Sequence, residues 1–124
     1  SGCHGPPRMK NCVGGCIHFA EHALYFADGD LHTLGNAFLL AHPYGYPCVM
    51  SSYNFSNSGV GPPQDTKPCG DGWVCEHRQP KLLKMLRFRR ATAGAPLAEF
   101  VAPEGGSKLA FARKGFGYLA INAG

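Results

Sequence analysis

Six cysteines fall within 124 residues, and they restrict what this chain can become more than any other feature. An even count at this density favours a disulfide framework in an oxidising, secreted setting. The competing use is a metal site. Cys12, Cys16, His18 and His22 spell C-x3-C-x-H-x3-H, and all four are zinc-ligand types. A single residue between the second Cys and the first His leaves no room for the hairpin and helix of a zinc finger. The expectation is therefore no metal site. Cys69 and Cys75 stand at C-x5-C around Asp71-Gly72-Trp73, close enough for a local staple. Among Cys3, Cys12, Cys16 and Cys48, three pairings remain open. Asn54-Phe55-Ser56 is a glycosylation sequon in a polar loop, consistent with secretion.

Charge is placed unevenly. No Lys or Arg occurs between Asn11 and Thr66, where the only formal charges are Glu21, Asp28, Asp30 and Asp65. From Lys67 onward there are ten basic and four acidic residues, and the whole chain carries +4. That excess is too small and too scattered to indicate nucleic acid as a partner. It suits segments that face different surroundings. The longest apolar run, Ala37–Ala41, is far short of the roughly 20 residues that span a bilayer. No charged-then-apolar leader begins at Ser1, so any secretory signal is expected to have been removed or left out. At this length the chain cannot be a complete (β/α)8 barrel, which needs at least about 200 residues.

Residues 1–29, rich in Gly, Cys and His, read mostly as loop. Asp28 or Asp30 is placed to cap a helix carrying Leu31, Leu34 and Phe38, ended by Pro43. Pro43–Pro47 is a turn, and Cys48–Tyr53 reads as a buried strand. Residues 54–72 form a long loop of Gly, Pro, Asn and Ser. Pro80 suits the first turn of a helix reaching about Arg90. Ala91–Pro96 is a linker, and Glu99–Val101 a short strand. Lys108–Arg113 and Gly117–Asn122 alternate as a hairpin turning near Lys114-Gly115. Helix, strand and helix followed by a β-hairpin is a parallel α/β unit at the end of one architecture and the beginning of another.

The stretch Leu40-Ala41-His42-Pro43-Tyr44-Gly45-Tyr46-Pro47-Cys48-Val49-Met50-Ser51-Ser52-Tyr53 closely resembles the secreted, animal-type α-amylases. The resemblance continues through Gly61-Pro62-Pro63-Gln64-Asp65 and Cys69-Gly70-Asp71-Gly72-Trp73-Val74-Cys75-Glu76-His77-Arg78. It persists more weakly in Met85–Arg89 and Leu109–Arg113, covering roughly residues 28–122. It implies the terminal helix–strand–helix portion of a (β/α)8 barrel followed by antiparallel strands. Residues 30–92 would hold the last barrel units and 93–124 the start of the C-terminal β-domain, with 1–29 unmatched. Residues 30–40 would be the seventh barrel helix, 48–53 the eighth strand and 76–90 the eighth helix. Cys69–Cys75 matches a disulfide of the family.

The catalytic residues do not carry over. Family members are glycoside hydrolases of α-1,4-glucans such as starch, and their nucleophile, acid and calcium ligands lie upstream of the matched region. Their Asn-His-Asp motif has no counterpart, since Arg8-Met9-Lys10-Asn11-Cys12 stands near its place. Animal members put a basic chloride ligand immediately before Val-Met-Ser-Ser-Tyr, where this chain has Cys48. A thiol offers an anion no permanent charge, so no chloride site is expected. A Trp expected after Glu-His-Arg is replaced by Gln79-Pro80, which unsettles the start of that helix. No catalytic or metal residue is assigned, and His42 reads as a structural histidine. Asp65 and Glu76 read as capping or solvated acids.

The expectation is a portion or truncated relative of an α-amylase, inactive alone, whose partner is the remainder of a barrel and whose ligand class is α-glucan. One alternative is a cationic, membrane-active defence module built on Lys81–Arg90. Lys84 and Arg87 share its polar face, whereas Lys81, Arg89 and Arg90 intrude on its apolar arc. Another is a small carbohydrate- or protein-binding domain using Tyr44, Tyr46, Tyr53 and Trp73.

Overall fold

The structure is a computed structural model that describes Leu24 and residues 26–57, 59–64 and 67–124. Cys3, Cys12, Cys16, His18, Glu21, His22 and Asp65 lie outside these residues.

After a 3₁₀ turn at Phe26–Asp28 comes helix α1, Asp30–Ala41. Its N-cap is Gly29 at φ 56°, without a side-chain cap bond. The expected Asp cap is therefore corrected. Asp30 is already inside the first turn, where its charge complements the helix dipole from solvent. Pro43 ends the helix as expected, because it forces His42 into an extended conformation, ψ 139°.

Residues 46–52 form no strand. The one bridge here joins Tyr53 to Trp73, and it is antiparallel. A parallel strand draws its hydrogen bonds from neighbours on both sides, and among the described residues there are none for it to join. The expected buried strand Cys48–Tyr53 is thus an extended segment, with Met50 72% exposed. It is held instead by the loop end: Val74 N–H donates to Ser52 O (2.8 Å) and Asn54 N–H to Gly72 O (2.8 Å).

A second 3₁₀ turn, Glu76–Arg78, precedes helix α2, Pro80–Ala91. Pro80 takes the first helical position, where no intrahelical N–H bond is lost. The Gln79-Pro80 replacement therefore fixes the start of α2 four residues later than a helix from residue 76 would have it. Strands β1 (Leu97–Val101), β2 (Lys108–Arg113) and β3 (Gly117–Asn122) make an antiparallel sheet in that order. The hairpin has the expected bounds and pairs Lys108 with Asn122 through Arg113 with Gly117. Gly115 at φ 80° supplies the turn conformation that other residues adopt at a cost. The register between β1 and β2 slips between Ala98 and Val101, next to Glu99 at φ 52°.

The core joins helices to sheet. Leu40 and Ala41 of α1, Leu82 of α2, Ala95 and Phe111 of β2 are buried. Phe111 meets Phe38 edge-on at 5.9 Å and His42 at 5.8 Å, and it stacks on Phe100 at 6.2 Å. Gly117 lets β3 approach α2, since a Cβ there would come within 2.6 Å of the Phe88 ring.

Candidate functional site

Two polar clusters lie beneath this surface. The first is centred on Glu76, buried with 1% of its surface exposed. Its Oε2 accepts the Ser52 backbone N–H at 2.8 Å. Its Oε1 is buried and has no hydrogen-bond partner among the described residues. His32 Nδ1, reaching over from α1, is 3.9 Å from that oxygen, too far for a hydrogen bond. Asn36 Nδ2 lies 3.2 Å from His32 Nε2 and also donates to His32 O at 3.0 Å. An amide nitrogen only donates, so Nε2 is the acceptor in that contact. Cys75 N–H donates to Ser51 Oγ at 3.0 Å, which completes the tie between residues 51–52 and 74–76.

Glu76 is therefore neither a cap nor a solvated acid, and the expectation is corrected. A cleft of about 660 Å³ opens beside it, lined by Asp30, His32, Thr33, Gln79 and Lys81 among others. Asp30 is exposed there and lies 3.9 Å from Lys81 Nζ. A retaining glycosidase holds two carboxyl groups about 5 Å apart, one ionised and one protonated, both open to the sugar. One Glu76 oxygen is engaged by backbone and the other is closed off from solvent. Of the two acids that line this cleft, Asp30 is exposed and Glu76 is buried, so they do not form such an open pair.

The second cluster closes the C-terminus of α1. Arg113 is buried and donates to Ala41 O, Ala95 O and Thr92 O, each at 2.8 Å. Arg89 donates to Leu40 O (3.1 Å), His42 O (2.8 Å) and Gly45 O (2.8 Å). Two guanidinium groups thus satisfy carbonyls that a helix end leaves unpaired, where positive charge is also favoured. Burial first, and then the charge of Arg89, pushes Arg113 below the ordinary arginine value. Sequence reasoning misses Arg113. Arg89 does leave a signal, by intruding on the apolar arc of α2.

Cys69 and Cys75 are joined (S–S 2.08 Å, Cα–Cα 5.8 Å), both with left-handed backbones at φ 61° and 57°. Cys48 is exposed and unpaired among the described residues. His42 accepts the Tyr44 N–H at Nδ1 (3.2 Å) while its ring packs on Phe38, as a structural histidine does. Tyr53 and Trp73 pack edge-on at 5.9 Å, whereas Tyr44 and Tyr46 stand in solvent. The structure does not gather these four aromatics onto one platform. Asn54 is exposed. No group of three His, Cys, Asp or Glu among the described residues could hold a metal ion.

No protein-family model matches the chain. An α-amylase of Oryzias latipes is 37% identical over 120 residues, spanning 80% of this chain and 23% of the relative. Human α-amylase 1B is 36% identical over 119 residues, again 80% of this chain and 23% of the relative. The chain is related to the animal α-amylases. The crystal structure of α-amylase I from Eisenia fetida superposes with a TM-score of 0.71 at 29% identity, covering 95% of this chain and 26% of that one. The chain spans about a quarter of the length of the α-amylases it matches. The helix–extended segment–helix–sheet order is thus the amylase order over that quarter.

Proposed function

We propose that this chain is the closing portion of a secreted α-amylase-type barrel, with no starch-hydrolysing capacity of its own. In this reading α1 is the seventh barrel helix, residues 48–53 the eighth strand and α2 the eighth helix. Strands β1–β3 open the C-terminal domain. The observation that carries it is the mismatch in coverage, 80% of this chain against 23% of the relative. The catalytic carboxylates and the calcium ligands would then come from residues outside these 124. Their substrate would be an α-1,4-glucan. An exposed Cys48 thiol in the place of the animal chloride ligand fits no anion, so the assembled barrel would work without chloride. The membrane-active alternative finds no support: α2 packs against α1, its Leu82 is buried and its Arg89 is spent on carbonyls. No helix among the described residues is long and apolar enough to cross a membrane.

The test mixes this chain with the complementary upstream portion of a related α-amylase and measures reducing sugar released from soluble starch. Neither piece should be active alone, and the mixture should be active with or without chloride. Hydrolysis by this chain alone, lost in Glu76→Gln, would overturn the proposal, as would a mixture that neither associates nor hydrolyses.

A further inference from the structure

We propose that Asn54 is an N-glycosylation site, occupied when the chain passes through a eukaryotic secretory pathway. The motif Asn54-Phe55-Ser56 is the only Asn-x-Ser/Thr in the 124 residues. Transfer requires the Asn amide and the hydroxyl two residues later to be presented together to the transferase. The structure meets that requirement through burial that alternates along the segment. Asn54 is exposed, Phe55 half-buried and Ser56 exposed. Phe55 packs on Tyr53 with ring centroids 5.6 Å apart, so the middle residue anchors the sequon. Ser56 lies at a bend, and both it and Asn54 stand in solvent on either side of the half-buried Phe55. The Asn54 backbone N–H donates to Gly72 O (2.8 Å), which fixes the backbone while the residue stays exposed. The nearby Cys69–Cys75 disulfide belongs to the same oxidising compartment.

The donor is a lipid-pyrophosphate-linked oligosaccharide. Asn54 Nδ2 bonds to the sugar C1 and gives up one proton, the C1–O bond to phosphate breaks, and the lipid pyrophosphate departs. The product is bulky and strongly hydrated, and Asn54 is not among the residues that line the Glu76 cleft. The inference rests on the secretory part of the proposed function, but its test does not involve starch.

The full chain, behind a secretion leader, is produced in cultured eukaryotic cells and mapped by peptide mass before and after peptide N-glycosidase. The expected result is a glycan on most secreted molecules, removed by the enzyme to leave Asp at position 54. Ser56→Ala should abolish it and Ser56→Thr should keep it, which separates sequon chemistry from a folding defect. Secreted wild-type chain unmodified at Asn54, or a glycan that persists in Asn54→Gln, would overturn the proposal.

Discussion

Arg113 is the residue on which most of the structure converges, because its three donors hold carbonyls from α1, from the end of α2 and from the linker. Arg113→Met should lower stability by roughly 2–4 kcal/mol, since several buried carbonyls lose donors at once. Arg113→Lys should recover less than half of that loss, because an ammonium cannot reproduce a planar fork. Urea unfolding measures both. The folded chain holds this proton less tightly than the unfolded chain, so the associated stability term rises with pH only in the strongly alkaline range. The stability difference between the wild type and the Arg113→Met variant should therefore be flat from about pH 5 to 9. Glu76 behaves differently, because one of its oxygens has no donor among the described residues. Glu76→Gln keeps an acceptor for Ser52 N–H in a side chain of the same size, and should shift stability by less than about 1 kcal/mol. Glu76→Ala orphans that N–H and should cost about 1–3 kcal/mol. A Gln variant as damaged as the Ala variant would show that the Ser52 acceptor alone does not hold the site.

At the scale of elements, local signals read well and distant ones do not. The Pro43 end of α1, the Pro80 start of α2 and the bounds of the hairpin follow from proline geometry and two-residue alternation, all settled within a few positions. The Glu76–Ser52 bond joins residues 24 apart, and the Arg113–Ala41 bond joins residues 72 apart. No local pattern encodes such partners. Segment 48–53 misleads for the complementary reason: its apolar composition suits a strand, but a parallel strand exists only where neighbours supply the ladder. The α2–β3 contact tests the helix–sheet packing. Gly117→Ala would drive a Cβ to 2.6 Å from the Phe88 ring and 3.1 Å from Thr92 Cγ2. It should cost about 1–3 kcal/mol in thermal or urea unfolding, as overpacking does. Gly61→Ala, with nothing within 4 Å of the added carbon, is the matched control and should change little.

At the scale of the whole molecule, the described core is thin: Leu40, Leu82 and Phe111 are its only large buried apolar side chains. Tyr44, Tyr46, Met50 and Phe116 are each more than half exposed. Single exposed apolar residues are ordinary, but Tyr44, Tyr46 and Met50 cluster on the one segment that lacks strand partners. Arg89 holds that segment at Gly45 and residues 72–76 hold its continuation at 51–54, and the Cys69–Cys75 bond closes the same loop. The disulfide restrains the unfolded chain, while the Ser51 and Ser52 hydrogen bonds restrain the folded one. Peptide mapping of the native, non-reduced chain should therefore find Cys69 linked to Cys75. Reduction should first loosen residues 51–54 and 72–76, read as faster amide exchange at Ser52 and Val74 and as altered Trp73 fluorescence, while the β2–β3 amides stay protected. The order follows from the sheet's own ladder, which owes nothing to the sulfur bridge. If β2–β3 protection is lost together with Ser52, the chain unfolds as a single cooperative unit and the loop is not a separate layer of stability. If Ser52 remains protected in the reduced chain, the Glu76 and Ser51 hydrogen bonds suffice and the disulfide is not what holds the segment.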